Sequence, residues 1–406
     1  MRPFRVVMLA AAFAATTTTG AARAQEPQAQ PPTREAAIEQ AQQQKAATLH
    51  PYQPGTGERL MNKAEDILVN GGGLRWHPFF QNAYAGGGFT LGLGYRTFVS
   101  PYNQLDVRGS YSIAGYKRAE MEFTAPHLFH RRGTLSLLGG WREATQVGFY
   151  GIGMDTSKDD RTNYDFQQPY GAATLTIWPT RKILMLQGGV EYSRWSLGGG
   201  EGSFPSIETL YSSATLPGVG ARTTYLHSQA TVGLDWRTSS GYSRRGGYLG
   251  ATLHDYADND KAFGFQQVQY EAVEHIPILR ETWVISLHGR ADTTFRKDDQ
   301  QVPFFMLPSL GGGSSLRGFT SWRFRDRNSL LLQAEWRIMV NRFIDTAVFY
   351  DAGKVTARTS DLDLKGLKSD YGFGVRFHGP ISTPLRVEVA RSNEGLVFVF
   401  AASPVF

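Results

Sequence analysis

From residue 71 onward, apolar and polar side chains alternate with a period of two in one segment after another. In residues 226–236, Leu226, Val232 and Leu234 share one parity, while Gln229 and Asp235 share the other. This alternation predicts β-strands. A soluble sandwich also alternates, but here aromatic side chains recur near the strand ends and charges occupy the opposite parity. That combination indicates an apolar face in lipid and a polar face toward water.

The alternation divides the chain into sixteen predicted strands, an even number, as in bacterial barrels. They lie at about residues 72–80, 88–98, 103–115, 117–126, 134–148, 163–177, 182–196, 224–237, 245–257, 264–276, 281–294, 329–339, 344–353, 370–378, 384–391 and 396–402. Short connectors follow most even-numbered strands, and longer polar connectors follow most odd-numbered ones, which is typical of periplasmic turns and outer loops. Because lipid forbids an open sheet edge, we expect the sheet to close.

Composition narrows the fold class further. The chain has 406 residues, 45 of them Gly, with 13% aromatic residues and no Cys. The lack of Cys excludes disulfide scaffolds and thiolate metal sites. No apolar run of 18 residues follows the first 24, which excludes a helical membrane bundle. The prediction is an all-β protein, a sixteen-stranded antiparallel transmembrane β-barrel with its barrel domain at residues 71–406.

The first 24 residues have the features of a secretory signal peptide. Arg2 and Arg5 precede a short apolar stretch, and Ala22 and Ala24 form an A-x-A cleavage site. An N-terminal membrane anchor is the alternative, but the apolar stretch is too short to span a bilayer. Cleavage would remove three arginines and lower the net charge from +6 to +3. The charge therefore supports no nucleic-acid partner.

Residues 25–70 differ from the rest of the chain. A Gln/Pro-rich part is predicted to be disordered, and residues 34–49 to form one short helix that ends before Pro51. We expect a periplasmic linker, because 46 residues are too few to bury a useful globular core.

The longest connector, residues 295–328, is unusually apolar. It contains Phe304, Phe305, Met306 and Leu310, whereas an exposed loop should be polar. We expect it to fold back into the barrel lumen, with the glycines at 311–313 allowing a tight reversal.

Arg317 lies in this connector and would then need carboxylate partners. Glu335 and Asp351, on the next two strands, are the candidates, and Glu335 shares its parity with Gln333 and Arg337. A solvated arginine is the alternative.

These residues resemble the BamA/TamA superfamily, also called the bacterial surface antigen barrels. The segment LGGGSSLRGF is similar to the sixth-loop signature of that family, with Leu316, Arg317, Gly318 and Phe319 matching (V/L)RG(F/Y). Residues 149–164 look like its third-loop region, and the resemblance covers roughly residues 71–406. The further matches are the F-x-D-x-G motif at Phe349, Asp351 and Gly353, its acidic partner Glu335, the strand residues Gly372, Gly374 and Arg376, and the terminal Phe406 as a recognition signal for outer-membrane barrels.

The resemblance implies a bacterial outer-membrane protein that helps insert or translocate proteins or lipids. Family members normally carry periplasmic POTRA domains, and none fits into residues 25–70, so we expect a POTRA-less member. The expected partners are outer-membrane lipids and a separate periplasmic partner or client protein. A plugged small-solute channel and a structural anchor barrel are the alternatives.

Enzyme chemistry is not expected. The sequence has no G-x-S-x-G and no H-E-x-x-H motif, and GGGSSLRG lacks the ending of a phosphate-binding loop. His127 and His130 have weak metal-ligand spacing, and the acidic segment at 155–165 is more typical of a solvated loop. We therefore expect no catalytic residue, cofactor or metal.

The two ends of the predicted sheet suggest a weak seam. Residues 71–73, at the start of the first strand, are all glycine, and Pro404 lies two residues before the C-terminus. Both residue types weaken a hydrogen-bonded ladder. We expect the last strand to end before Pro404 and lateral opening to cost less at this seam.

Overall fold

The computed structural model describes residues 33–48, 55–59, 62–63, 75–180, 183–297, 299–379 and 382–406. The predicted signal peptide at 1–24 lies outside this range. The chain forms two units, Met1–Glu58 and Arg59–Phe406. In the described part of the first unit, helix α1 spans Arg34–Thr48, with Glu35 in its first turn and Lys45 in its last. A negative charge near the N-terminus and a positive charge near the C-terminus both interact favourably with the helix dipole.

The second unit is built from β-strands. They are β1 (Trp76–Pro78), β2 (Thr90–Phe98), β3 (Gln104–Ser112), β4 (Lys117–His127), β5 (Gly133–Phe149), β6 (Thr162–Ile177), β7 (Leu184–Gly199), β8 (Arg222–Asp235), β9 (Gly246–Asp258), β10 (Phe265–Ile278), β11 (Trp283–Arg296), β12 (Ser309–Leu310), β13 (Phe324–Arg325), β14 (Asn328–Asn341), β15 (Ile344–Thr356), β16 (Lys368–Phe377), β17 (Leu385–Ser392) and β18 (Gly395–Ala401). Three short 3-10 turns lie at Ile207–Thr209, Phe304–Met306 and Thr359–Asp361. Among the described residues, no helix is both long and apolar enough to cross a membrane.

Sixteen of these strands form one antiparallel sheet, and β12 pairs separately with β13. The sheet follows chain order, so each strand pairs with the strands before and after it. The predicted sixteen-stranded antiparallel sheet is confirmed, and each of its sixteen strands overlaps its predicted segment, whereas β12 and β13 lie in the predicted connector and were not expected.

The expected closure of the sheet is not observed. Within the described residues, no ladder pairs β1 with β18. β1 is only three residues long and ends at Pro78, which cannot donate a backbone hydrogen bond. β18 ends at Ala401, as expected from Pro404. Two short terminal strands therefore leave the sheet with two edges.

The two faces of the sheet differ in chemistry. One face, here called the polar face, buries Gln333, Glu335 and Arg337 on alternate positions of β14. The opposite apolar face exposes Trp336 and other aromatic or branched side chains on neighbouring strands. An apolar exterior of this kind is the lipid-facing surface of a transmembrane strand.

The connector between β11 and β14, residues 297–327, lies against the polar face from two sides. Within it, Arg325 donates to the Tyr164 hydroxyl on β6 at 3.0 Å, and Phe324 clusters with Leu331 on β14 and Val355 on β15. β6 and β14 are six intervals apart in the sheet, about 29 Å if it were flat. The sheet must therefore curve around the connector.

Candidate functional site

The connector holds its own compact hairpin. β12 and β13 pair through Ser309 with Arg325 and Leu310 with Phe324. Between them the chain reverses at Gly311 and Gly312, whose φ values of +113° and +97° favour glycine. The Gly312 amide donates to the carbonyl oxygens of Leu316 and Phe319, at 3.2 and 3.0 Å. This turn fixes the backbone on both sides of Arg317.

Apolar side chains attach the hairpin to the sheet. They form a buried cluster of Leu310, Leu316, Phe319, Phe324, Leu331 and Val355. The rings of Phe319 and Phe324 lie 5.2 Å apart in an edge-on arrangement, which aromatic pairs prefer. The predicted burial of the connector's apolar residues is thus observed. Leu316 and Phe319 anchor the chain immediately before and after Arg317-Gly318.

Arg317 is completely buried and contacts three carboxylates. Its Nε and Nη2 donate to the two oxygens of Asp351, both at 2.7 Å. Its Nη1 donates to Glu335 Oε1 at 2.6 Å and to Glu388 Oε1 at 3.3 Å. The two partners named from the sequence, Glu335 and Asp351, are both in contact. Glu388 on β17 is a third that sequence reasoning did not name.

Strand register explains why these residues meet. Glu335 on β14 lies opposite Phe349 on β15, which in turn lies opposite Gly372 on β16. One row further along, Gln333 lies opposite Asp351. Because directly opposed residues share a face, the F-x-D-x-G motif places its aromatic ring and its carboxylate side by side on the polar face.

Three motif glycines make room for this packing. A Cβ on Gly372 would lie 2.5 Å from the Phe349 ring, and one on Gly374 would lie 2.5 Å from Glu388 Cγ. A Cβ on Gly353 would lie 2.9 Å from Leu310 Cδ1. These glycines let large side chains lean over the neighbouring strand, which residues with a side chain would obstruct.

Gly318 has the same role in the connector itself. A Cβ there would lie 2.5 Å from Asp370 Cβ on β16, and the Gly318 carbonyl accepts from the Ser392 hydroxyl at 2.7 Å. In the R-G pair of the sixth-loop signature, Arg317 thus supplies the buried cation, and Gly318 lets the backbone of the connector come close enough to the sheet for Arg317 to reach its partners.

Two further arginines complete the network. Arg376 Nη2 donates to Glu335 and, at 3.1 Å, to Glu388. Arg386 Nη1 donates to Glu388 Oε2 at 2.6 Å, and its Nη2 donates to the Gly313 carbonyl at 3.0 Å. Glu388 and Arg386 lie two residues apart on β17, on the parity that faces Gly374 and Arg376. That alternation shows from the sequence that both lie on the polar face, but not that they reach Arg317.

The network balances three guanidiniums with three carboxylates inside a buried site. Burying a charge is costly unless it is paired and hydrogen-bonded. Removing one member would leave its partners buried and uncompensated. We call Arg317, Arg376, Arg386, Glu335, Asp351 and Glu388 the charge clamp.

The connector also contacts strands far from the charge clamp in the order of the sheet. Phe304 packs edge-on against Phe149 and Tyr164, with ring centroids 5.1 and 4.9 Å apart. Phe305 lies 5.3 Å from the Trp195 ring. These contacts reach β5, β6 and β7, whereas the charge clamp lies on β14 to β17. The connector therefore bridges two distant parts of the sheet.

A second arginine joins the connector to the last hairpin. Arg323 Nε donates to both Glu394 oxygens, at 2.9 and 3.0 Å, and its Nη1 donates to the Thr156 hydroxyl at 2.7 Å. Glu394 lies in the turn between β17 and β18, and Thr156 lies in the β5–β6 connector. Arg323 thus fixes three connectors near the unpaired edge of β18.

The C-terminal residues turn onto the polar face. The Phe406 ring stacks over His288 and His275, with centroids 4.8 and 6.2 Å apart. The Ser403 carbonyl accepts from Arg386 Nε at 2.7 Å. The resemblance predicts Phe406 to be a recognition signal, and its ring lies beside β10 and β11.

A metal or cofactor site is not evident. Among the described residues, no group of three or more His, Asp or Glu side chains is arranged to hold a metal ion. The six residues of the charge clamp form ion pairs with one another, whereas both carboxylate oxygens of the neighbouring, buried Asp370 have no hydrogen-bond partner among the described residues. Through Arg317 the charge clamp links the connector to β14, β15 and β17.

Comparison with known proteins agrees with this geometry. The model of the Omp85 superfamily domain matches residues 103–395. No curated protein sequence matches the chain. Among solved structures, BamA from Haemophilus ducreyi lacking POTRA domains 1–3 is similar with a TM-score of 0.57 and 17% identity, over 79% of this chain and 67% of that one.

CdiB from Escherichia coli is similar with a TM-score of 0.51 and 12% identity. That match covers 80% of this chain and 58% of CdiB, so the chain spans less than two thirds of CdiB. At these identities the likeness concerns the fold. The family match, which covers more than half of the chain, goes further: this protein belongs to the Omp85 superfamily and is a protein of the bacterial outer membrane.

Proposed function

We propose that this protein helps insert or translocate proteins or lipids at the outer membrane, together with a separate periplasmic partner or client. The observation that carries the proposal is the charge clamp, which holds the 297–327 connector on the polar face. We infer that this face surrounds the barrel lumen and that the connector occupies it. The proposal assigns the charged groups of the clamp to ion pairs with one another and gives them no catalytic role.

The open edge supports the same proposal. No described ladder joins β1 to β18, and unpaired strand edges can pair with an incoming chain. A rigid connector on one side and a weak seam on the other would let the wall open without loss of the fold. The seam would then be the place where a client strand or a lipid passes.

A plugged small-solute channel is the second candidate. It is favoured by the bridge that the connector makes between Phe304 at β5–β6 and Arg317 at β14–β17. Such a bridge would obstruct a lumen. An anchor barrel, the third alternative, has no structural observation in its favour.

Reconstitution can separate these functions. The full chain is placed in phospholipid vesicles, and an unfolded outer-membrane barrel is added with a periplasmic chaperone. We expect faster appearance of the folded client, read from its heat-modifiable migration, than in empty vesicles. The Arg317→Ala variant should lose this acceleration, whereas Arg358→Ala, an exposed arginine of the β15–β16 connector, should keep it.

A conductance measurement tests the channel alternative. If the protein accelerates no client but shows solute-selective conductance in planar bilayers, the insertion proposal is wrong and the channel remains. Deleting residues 300–325 should raise conductance in either case, so that deletion does not discriminate. Crosslinking in native outer membranes, with the barrel as bait, would then identify the client or partner.

A further inference from the structure

The short turns at one end of the sheet are strongly basic. The seven turns that follow β2, β4, β6, β8, β10, β14 and β16 contain eight arginines, one lysine and one carboxylate. The connectors at the other end contain ten basic and twelve acidic residues. By sequence the short turns therefore carry a net charge of +8 and the other connectors −2, and three arginines of the latter set, Arg317, Arg323 and Arg325, are buried. We call the first set the short-turn rim.

Two turns of this rim have the same unusual backbone. Phe129, His130 and Arg131 have φ values of +51°, +58° and +65°, and residues 279–281 have +47°, +57° and +68°. Three consecutive left-handed residues that are not glycine cost about 1 kcal/mol or more each. Strain of this kind is kept where something outweighs it, often a function.

Each strained turn presents an apolar side chain followed by arginine. Phe129 is 56% exposed and precedes Arg131 and Arg132, and Leu279 is 60% exposed and precedes Arg280. Both apolar side chains stand where the apolar face of the sheet ends. An apolar tip beside a guanidinium fits the boundary between acyl chains and phosphates.

Other arginines gather in a groove at the same end. Arg244, Arg245 and Arg342 line a groove of about 530 Å³ between the β8–β9 and β14–β15 turns. Glu281 is the acidic residue there and lies 3.6 Å from Arg245. The groove keeps an excess of positive charge beside the membrane-facing strands.

We propose that the short-turn rim binds the phosphate headgroups of anionic phospholipids in the adjacent leaflet. The arginines would pair with phosphates, and Phe129 and Leu279 would insert between the headgroups. Arg244, Arg245 and Arg342 share one groove, but Arg131 and Arg132 lie in a separate turn after β4, so the charges occupy more than one place along the rim. That distribution matches the ring of lipid around a barrel better than the footprint of one acidic protein. The proposal is independent of whether the barrel inserts clients or conducts solutes.

Lipid selectivity tests the proposal directly. The full chain is reconstituted in phosphatidylcholine vesicles, and the fraction of spin-labelled phosphatidylglycerol in the boundary layer is compared with that of spin-labelled phosphatidylcholine. One surface arginine supplies about a fivefold preference for an anionic lipid. We expect the wild-type protein to show a preference of at least that size and to lose it in high salt, where surface charges are screened.

A matched pair of variants assigns the effect to the rim. Arg131→Gln, Arg132→Gln and Arg280→Gln together should bring the preference close to one. Lys261→Gln, Arg358→Gln and Lys365→Gln remove the same charge from the other end and should leave the preference unchanged. Equal heat-modifiable migration of both variants shows that each is folded.

Three outcomes would overturn the proposal. They are the absence of any preference in the wild-type protein, a preference retained by the rim variant, and a preference lost equally in both variants. If the rim variant keeps its lipid selectivity but loses a crosslink to an acidic protein in native envelopes, the rim is a protein-binding surface and the lipid proposal is wrong.

Discussion

The guanidinium carbon of Arg317 lies 3.4 Å above the centroid of the Phe349 ring. The same guanidinium is held in its plane by Asp351, two residues further along β15. A desolvated cation over an aromatic ring gains about 2 kcal/mol. The F-x-D-x-G motif therefore supplies two partners for Arg317: the carboxylate of Asp351 in the plane of the guanidinium and the ring of Phe349 beneath it. Gly353, the last residue of the motif, leaves room for the connector that carries Arg317.

Loss of the clamp arginine should be costly. Arg317→Ala leaves three buried carboxylates with less compensation, and we expect it to lower the free energy of unfolding by about 3–5 kcal/mol. Arg317→Lys keeps the charge but cannot make the bidentate contact with Asp351, so it should remain clearly destabilised. The measurement is urea unfolding in detergent micelles, followed by heat-modifiable migration.

Protease protection of the connector provides a second readout for these variants. Wild-type protein should resist trypsin at Arg317, Arg323 and Arg325, because all three side chains are buried. Arg358→Ala serves as the control and should unfold as the wild type does. Unchanged protection and stability in Arg317→Ala would contradict the clamp.

Gly372→Ala should destabilise the sheet through overpacking. The added Cβ would lie 2.5 Å from the Phe349 ring, and we expect a loss of about 1–3 kcal/mol in the free energy of unfolding. Gly188→Ala on β7 is the matched control, because a Cβ there has nothing within 4 Å. In the Phe349→Ala background the Gly372 substitution should cost less but not nothing, because the Val389 carbonyl oxygen, which lies even closer to the added Cβ, still obstructs it. Additive losses would argue against direct contact.

The contact between Arg323 and Glu394 should be strongly coupled. Arg323 is nearly inaccessible, and its guanidinium holds both carboxylate oxygens of Glu394. We expect a coupling energy of about 1.5–3 kcal/mol from a double-mutant cycle with alanine at both positions. The Lys158→Ala variant tests a neighbouring, exposed contact to the Glu394 carbonyl and should cost little. A coupling energy near zero would show that the last hairpin is not held by the connector.

Phe406 has two separable roles to test. Its stacking on His288 predicts that Phe406→Ala lowers the free energy of unfolding by about 1 kcal/mol. A recognition role would instead lower the yield of folded protein in the outer membrane, with little change in the stability of the protein that does fold. Quantifying both in the same variant distinguishes them, and Val405→Ala is the neighbouring control.

Strand positions could be predicted from the sequence because one face of each strand meets lipid and the other meets water. Apolar and polar side chains must therefore alternate along the strand. Residues 226–236 show this well, and β8 covers most of them. β1 was predicted over residues 72–80, yet it spans only Trp76–Pro78. Its short length could not be read from parity, because parity indicates which face a residue occupies and not how many residues pair with β2.

The charge clamp could be predicted in part. The contacts of Arg317 with Glu335 and Asp351 follow from one buried cation in an apolar connector and carboxylates on the next strands. Glu388 was missed because its proximity depends on how far the sheet curves between β14 and β17. Parity identifies which face a side chain occupies, but it does not tell how far an arginine reaches across that face.

The bridge made by the connector has a consequence for the order of folding. Arg325 and Tyr164 are 161 residues apart in the chain, and Arg317 and Glu388 are 71 apart. Neither contact can form until strands on both sides are in place, since closing such long loops costs chain entropy before any contact compensates for it. Hairpins between neighbouring strands can assemble early, and the connector docks last. In a newly inserted chain the strands of the wall would therefore be paired before the connector is bound to them by Arg317 and Arg325.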